Sequence, residues 1–238
     1  MTTTTDTPAY IRIAAALRER ISNGDLPPRS ALPPERELCL EYGVSRMTAR
    51  KAFGVLESEG LVYKNATRGT FVAEPRVELR LGSFSQEVTR SGHQPGAELL
   101  WAEEQLAAPV VAHALGLDAG APVHALRRLR RSDGEPLALE TTYYPAELTP
   151  GLLSGNLAGS LWDELKDRYD ITPGRTVANL EVVVLDEVAS RRLATRPAAA
   201  GMQLIRRTYD TSGRCFEYAS DLYRADRISL VIERSVNE

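Results

Sequence analysis

The sequence predicts an α+β chain of two domains, a winged helix-turn-helix followed by a mixed α/β half, and three observations carry that reading. Residues 33–53 form two helical patterns that meet at Tyr42-Gly43-Val44. Residues 61–64 and 70–73 read as two short strands around a Gly-containing loop. In the second half, residues 106–138 align with residues 185–217 at a constant offset of 79.

Two domains suit the length of 238 residues, and 43% hydrophobic content supports folded cores. The net charge of −3 argues, taken globally, against a nucleic-acid partner. Its distribution does not. Residues 45–72 hold five Lys/Arg (Arg46, Arg50, Lys51, Lys64, Arg68) against two acids (Glu57, Glu59). Phosphate binding needs only such a local basic patch. Cys39 and Cys215 lie far apart in sequence and are expected to be reduced thiols of a cytoplasmic protein. No apolar run approaches the roughly 20 residues that span a bilayer, so no membrane partner is expected.

Taken in order, residues 1–8 read as a frayed tail. Tyr10, Ile13, Leu17 and Ile21 mark one face of a first helix, which Asn23-Gly24 ends. Pro27-Pro28 cannot continue a helix, and Pro33-Pro34 opens the next. After the Gly43 turn, Ser45 is placed to cap a helix whose Ala49, Ala52, Phe53 and Leu56 recur at the spacing of a buried face. That leaves Met47, Arg50, Lys51 and Gly54 pointing away, with Arg46 and Thr48 near the helix start. Arginines one turn apart at a helix N-terminus match guanine O6 and N7 in a major groove. This is the candidate recognition helix. Glu59-Gly60 stops it, residues 65–69 make the wing loop, and Glu74-Pro75-Arg76 marks a linker at 74–77.

In the second domain each copy of the repeat holds a short helix (about 107–115 and 187–194), a strand ending in paired arginines (Arg127-Arg128; Arg206-Arg207), a Gly turn (Gly134; Gly213) and a return strand. Two such units are expected to face each other across a pseudo-twofold axis, with a ligand cleft between them. Alternation puts Arg128 and Arg130 on one face, Ala138, Glu140 and Thr142 on one face, and Glu217, Ala219, Asp221 and Tyr223 on one face. Ser160 reads as the cap of a further helix with acids in its first turn, and residues 228–233 read as a last strand. Arginines beside a helix N-terminus suit a phosphate or carboxylate. Glu140 and Glu217 either hold a ligand ammonium or hydroxyls, or pair with arginines. Trp162 and Phe84 are either core or ligand-stacking residues.

His93, His113 and His124 lack metal-site spacing, and neither a Gly-x-Ser-x-Gly elbow nor a Gly-rich phosphate loop occurs. No metal, cofactor or catalytic residue is expected.

The runs Pro-Pro-Glu-Arg-Glu-Leu, Tyr-Gly-Val-Ser-Arg-Met-Thr-Ala-Arg, Leu-Glu-Ser-Glu-Gly-Leu and Arg-Gly-Thr-Phe-Val make residues 9–73 resemble the GntR family of bacterial transcription regulators. The resemblance implies DNA contacts at Arg36, Arg46, Thr48 and Arg50, with Gly69 at a wing tip entering the minor groove. Ser45 and Arg68 complete the candidate interface. Met47 stands where a small polar residue is common, and Arg68 where Lys or His is frequent.

From about 78 onward, within an expected domain of 78–238, the chain resembles the UTRA effector domain of the HutC subfamily, especially the sensors of aminosugar phosphates. That likeness rests on Gly-Ser-Phe-Ser-Gln-Glu, Arg-Leu-Arg-Arg-Ser-Asp-Gly-Glu-Pro-Leu-Ala-Leu-Glu, Ser-Leu-Trp and Tyr-Arg-Ala-Asp-Arg. It implies a chorismate lyase-like fold and effector contacts at Phe84, Ser85, Arg128, Arg130, Glu140, Ser160, Glu217 and Tyr223. Trp162 takes the place where such sensors carry Tyr. The expected whole is a homodimeric repressor that binds a palindromic double-stranded operator and responds to a small anionic effector. A phosphonate or carboxylate effector, and an enzyme of the same fold, are the alternatives.

Overall fold

The structure, a computed structural model, describes residues 7–65 and 68–232. Most of the expected tail, two residues of the wing loop and the end of the expected last strand lie outside the described residues. The chain divides into two compact units between Pro75 and Arg76.

In the first unit, α1 (Ala9–Ser22), α2 (Glu35–Tyr42) and α3 (Arg46–Ser58) precede an antiparallel hairpin of β1 (Val62–Asn65) and β2 (Gly69–Val72). Ile13, Ala14 and Leu17 of α1 meet Leu38 of α2 and Ala49, Ala52, Phe53 and Leu56 of α3 in one core, closed by Val62 and Val72 of the hairpin. Gly43 ends α2 with φ 63°, a left-handed conformation that glycine adopts without a Cβ penalty, and so turns the chain sharply into α3.

The second unit is built on a six-stranded antiparallel sheet. Its strands are β4 (Pro95–Leu106), β5 (Pro122–Ser132), β6 (Glu135–Pro145), β7 (Pro173–Val184), β8 (Ala200–Asp210) and β9 (Cys215–Arg224), in the order β4-β5-β6-β9-β8-β7. Beside it, β3 (Val77–Leu79) pairs in parallel with β10 (Ile228–Leu230). Val77 is fully buried, so the expected linker at 74–77 stops short of its last residue. On one face of the sheet, α4 (Phe84–Arg90) and α6 (Leu161–Tyr169) cover two apolar clusters. On the other, α5 (Pro109–Leu115) and α7 (Glu187–Arg192) cover two more.

The order β4-α5-β5-β6 recurs as β7-α7-β8-β9, and the two units join along β6 and β9. The repeat therefore extends further back than the sequence alignment, to include β4 and β7. The sheet also corrects the alignment. Arg130 pairs with Ala138 across the first hairpin, whereas Thr208 pairs with Glu217 across the second, which is one residue longer. The offset of 79 thus holds for the return strands and falls by one in the strands before them. Arg128 corresponds to Arg206, not to Arg207. Because side chains alternate between faces, that single residue decides which arginine enters the cleft.

Candidate functional site: an exposed cationic helix and a buried charge cluster

In the first unit the Ser45 hydroxyl accepts the Thr48 backbone N–H at 3.2 Å and lies 2.9 Å from the Thr48 hydroxyl. This satisfies an orphan N–H of the first turn and fixes where α3 begins. With Ala49, Ala52 and Phe53 buried, Arg46, Met47, Arg50 and Lys51 are left exposed. Arg36 is exposed on α2, and Arg68 and Gly69 are exposed where the wing returns. Gly69 has φ 102°, so only glycine fits there without strain. The arrangement offers a cationic helix N-terminus flanked by a cationic wing.

Arg50 is not a free cation. Its Nε donates to Glu35 Oε1 at 2.9 Å and its Nη2 to Glu35 Oε2 at 3.1 Å, linking α3 to the first turn of α2. The hydrogen bond from Arg50, followed by the fields of Arg50, Arg46 and Lys64, holds the Glu35 carboxyl below its usual range despite some burial.

In the second unit, a small open cleft lies between the N-termini of α4 and α6. Ser83, which precedes α4, and Phe84 and Ser85 of its first turn line it on one side, and Ser160, the cap of α6, with Leu161 and Trp162 on the other. Its floor is the sheet, with Arg128 and Arg130 of β5, Glu140 and Tyr144 of β6, Arg206 of β8 and Glu217 of β9. Behind them lies Asp221. Arg128, Arg130, Arg206, Glu140, Glu217 and Asp221 are each at most 5% exposed. Six charged side chains buried together must satisfy one another or a ligand, because water cannot.

Most of them do so internally. Arg128 donates through Nε to Glu140 Oε2 at 2.6 Å, and its Nη1 donates to the carbonyls of Leu157 and Gly159. Glu217 accepts from the Tyr144 hydroxyl at 2.9 Å, the Trp162 indole at 3.0 Å and the Thr208 hydroxyl at 2.8 Å, and Arg206 Nη1 lies 3.5 Å away. Arg206 Nε donates to Asp221 Oδ2 at 3.0 Å. Glu140 and Glu217 are therefore engaged by arginines and neighbouring donors. Burial pushes the Glu140 carboxyl up, but Arg128, Arg130 and Arg206 outweigh it and hold it at about 2. Asp221 has less help. Burial, reinforced by Glu140 and Glu217 and only partly offset by Arg206, pushes it up to about 7.

Arg130 is the exception among the cations. It donates one hydrogen bond, Nη2 to Ser85 Oγ at 3.0 Å, and stacks 4.3 Å above the Phe84 ring. Its Nε and Nη1 are buried without a hydrogen-bond partner, the Glu140 carboxylate standing 3.7 Å from Nη1. Burial accordingly lowers its proton affinity, with Glu140 only partly compensating. Orphaned buried N–H groups on a cation favour an incoming anion.

Of the sequence-derived effector residues, Phe84, Ser85, Arg128, Arg130, Glu140, Ser160, Trp162 and Glu217 all line the cleft. Tyr223 does not. It packs in the apolar cluster with Phe84, Val88 and Leu204, because its strand carries it past the end of the cleft. Arg206, Tyr144 and Ser83 were missed. Alternation with Leu204 and Thr208 carries the signal for Arg206, which the one-residue error in the repeat hid. Among the described residues no group of three or more His, Cys, Asp or Glu is placed to hold a metal, and no helix is long and apolar enough to cross a membrane.

Comparison with known proteins agrees with both halves. Residues 9–72 match the bacterial regulatory proteins of the gntR family, and residues 90–229 match the UTRA domain. The chain is 33% identical over 228 residues to the HTH-type transcriptional repressor NagR of Bacillus subtilis, covering 94% of this chain and 93% of that protein. It is 28% identical over 232 residues to MngR of Escherichia coli, the repressor of a mannosyl-D-glycerate transport and metabolism system, covering 95% and 97%. The crystal structure of PhnF from Mycobacterium smegmatis superposes with a TM-score of 0.70 at 30% identity, covering 94% of this chain and all of that one.

Proposed function

Since the chain belongs to the gntR family of bacterial regulatory proteins, and is a DNA-binding, ligand-responsive transcription regulator rather than an enzyme, we propose that it is a repressor released from its operator by a small anion. The anion binds in the cleft between α4 and α6. The observation that carries this reading is Arg130, a buried cation with two N–H-bearing nitrogens unmatched and a single hydrogen bond to Ser85.

The effector class is an aminosugar phosphate, in keeping with the HutC-type sensors that the sequence resembles. The phosphate meets Arg130 and the hydroxyls of Ser83, Ser85 and Ser160, which line the same cleft. A second reading, a sugar-linked carboxylate, is favoured by the similarity to the mannosyl-D-glycerate repressor, since glycerate carries a carboxylate. The DNA contacts are Arg36, Ser45, Arg46, Thr48, Arg50, Arg68 and Gly69. In a cytoplasmic homodimer, two copies of α3 read palindromic half-sites about 34 Å apart. The effector acts by binding more tightly to the dimer that cannot adopt that spacing. Support for a dimer comes from β7, the outermost strand of the sheet beside β8, along which Leu180, Val182 and Val184 are exposed.

The test is fluorescence anisotropy of the full chain with duplex DNA from upstream of its own gene, titrated with hexosamine phosphates and sugar carboxylates. Release by one class and not by the neutral parent sugars is expected. Binding to DNA that no anion alters removes the effector reading, and absence of DNA binding removes the operator.

A further inference from the structure

We propose that Glu35 is a positioning residue that sets the sequence specificity of the DNA interface by holding the Arg50 guanidinium in one orientation. The inference rests on the reading of α3 as the DNA-facing helix.

A guanidinium has five N–H groups. Glu35 engages one on Nε and one on Nη2, side-on, at 2.9 and 3.1 Å. Three remain, two on Nη1 and one on Nη2. The adjacent pair at the Nη1/Nη2 end forms a parallel fork of the kind that matches O6 and N7 of a guanine. An unpaired arginine at this exposed position would rotate freely and could meet phosphate as readily as a base. Pinned by Glu35, its plane is fixed before DNA arrives, so less side-chain entropy is lost on forming the base contact.

The charge pattern favours this role over a stabilising one. The pair is solvent-exposed, with side-chain exposures of 60% for Arg50 and 30% for Glu35. Exposed pairs add little to folding. A carboxylate placed amid Arg46, Arg50 and Lys64 also repels phosphate, and so weakens the sequence-independent part of DNA binding. A residue that lowers general affinity while ordering a base-reading fork is placed to widen the gap between specific and non-specific binding.

The experiment starts by selecting duplexes from a random pool with the full-length protein. The enriched duplex and a half-site-scrambled version are then the two probes. For Glu35→Ala we expect affinity for the scrambled duplex to rise several-fold with a steeper salt dependence. The ratio of selected to scrambled affinity should fall about tenfold, the scale of one bidentate base contact. Glu35→Gln, which keeps the side-chain length and one acceptor, should fall between. In an Arg50→Ala background, Glu35→Ala should leave the ratio unchanged, because the residue acts through Arg50. Melting temperatures of the single variants should stay within a few degrees of the parent.

An unchanged ratio with both affinities rising together would show Glu35 to be only a charge, and overturn the proposal. A ratio that falls further in the Arg50→Ala background would overturn the route through Arg50. If the wild-type protein enriches no sequence, the DNA reading of α3 itself fails and this inference goes with it.

Discussion

Arg128 and Arg206 occupy equivalent positions in the two β-α-β-β units, and both guanidiniums turn toward Glu140, Arg128 Nη2 at 2.5 Å and Arg206 Nη2 at 3.8 Å. Around this pair the pseudo-symmetry breaks. Arg130 corresponds to Thr208, and Ala138 to Glu217, so one half of the cleft carries an extra cation and the other an extra acid. The surplus cation is the one left incompletely paired.

Arg130→Met should therefore leave the fold intact while abolishing the anion response. The buried cation is poorly compensated, and its replacement by an apolar chain of similar length removes an unmet desolvation cost. We expect urea denaturation to stay within about 1 kcal/mol of the parent. The thermal shift with a hexosamine phosphate or a sugar carboxylate should disappear, while operator affinity is retained. A full-sized shift in the variant would move the anion elsewhere.

Arg206→Met should behave in the opposite way. It strips the cation shared by Asp221, Glu217 and Glu140, leaving buried carboxylates with fewer partners. A loss of roughly 3–5 kcal/mol is expected, the scale for breaking a buried charge network. Equal stability of the two variants would mean that the cluster does not distinguish its arginines.

Asp221 gives the second unit a pH signature. Its ordinary pKa of 3.8 is pushed up to about 7 in the fold. A group raised on folding binds more protons when native, so its contribution is full below about pH 4 and is lost as pH rises through about 7. Glu140, depressed to about 2 from 4.5, works the other way and is lost only as pH falls below about 4.5. Asp221→Asn, which stays neutral, should gain stability relative to the parent between pH 5 and pH 8. Parallel melting-temperature profiles across that range would contradict the raised pKa.

Val182 tests the proposed dimer. It is 79% exposed on edge strand β7, beside Val184 at 72%. Val182→Glu should shift the molar mass measured by light scattering toward the monomer and weaken operator binding by more than tenfold. Its anion-dependent thermal shift should survive. A dimer that Val182→Glu leaves unaltered would remove β7 as the interface, and a monomeric parent would remove the proposed dimer.

Much of this was written in the order of the residues. Ala49, Ala52, Phe53 and Leu56 fall at helical spacing, Ser45 caps and Gly43 turns, because these effects act within one or two turns of chain. Alternation likewise put Arg128 with Arg130, and Glu217 with Asp221, on common faces. The strands β4 and β7 and the helix α4 were not legible. The two strands lie at the sheet edges with mixed exposure, so neither shows a clean alternating pattern, and α4 spans only seven residues.

Local sequence therefore determined which helix faces outward, where it starts and which strand residues share a side. Only the tertiary structure decided who partners whom. Whether Glu217 holds a ligand or is consumed by Tyr144, Trp162 and Thr208 depends on strands and a helix brought together from positions up to 73 residues apart. Whether Arg206 or Arg207 enters the cleft turns on one extra residue in a hairpin, which shifts the pleat by one and exchanges the two faces. And Arg130 stands out only once burial has removed water and every neighbouring acceptor but Ser85 has been committed to another donor or left too far away.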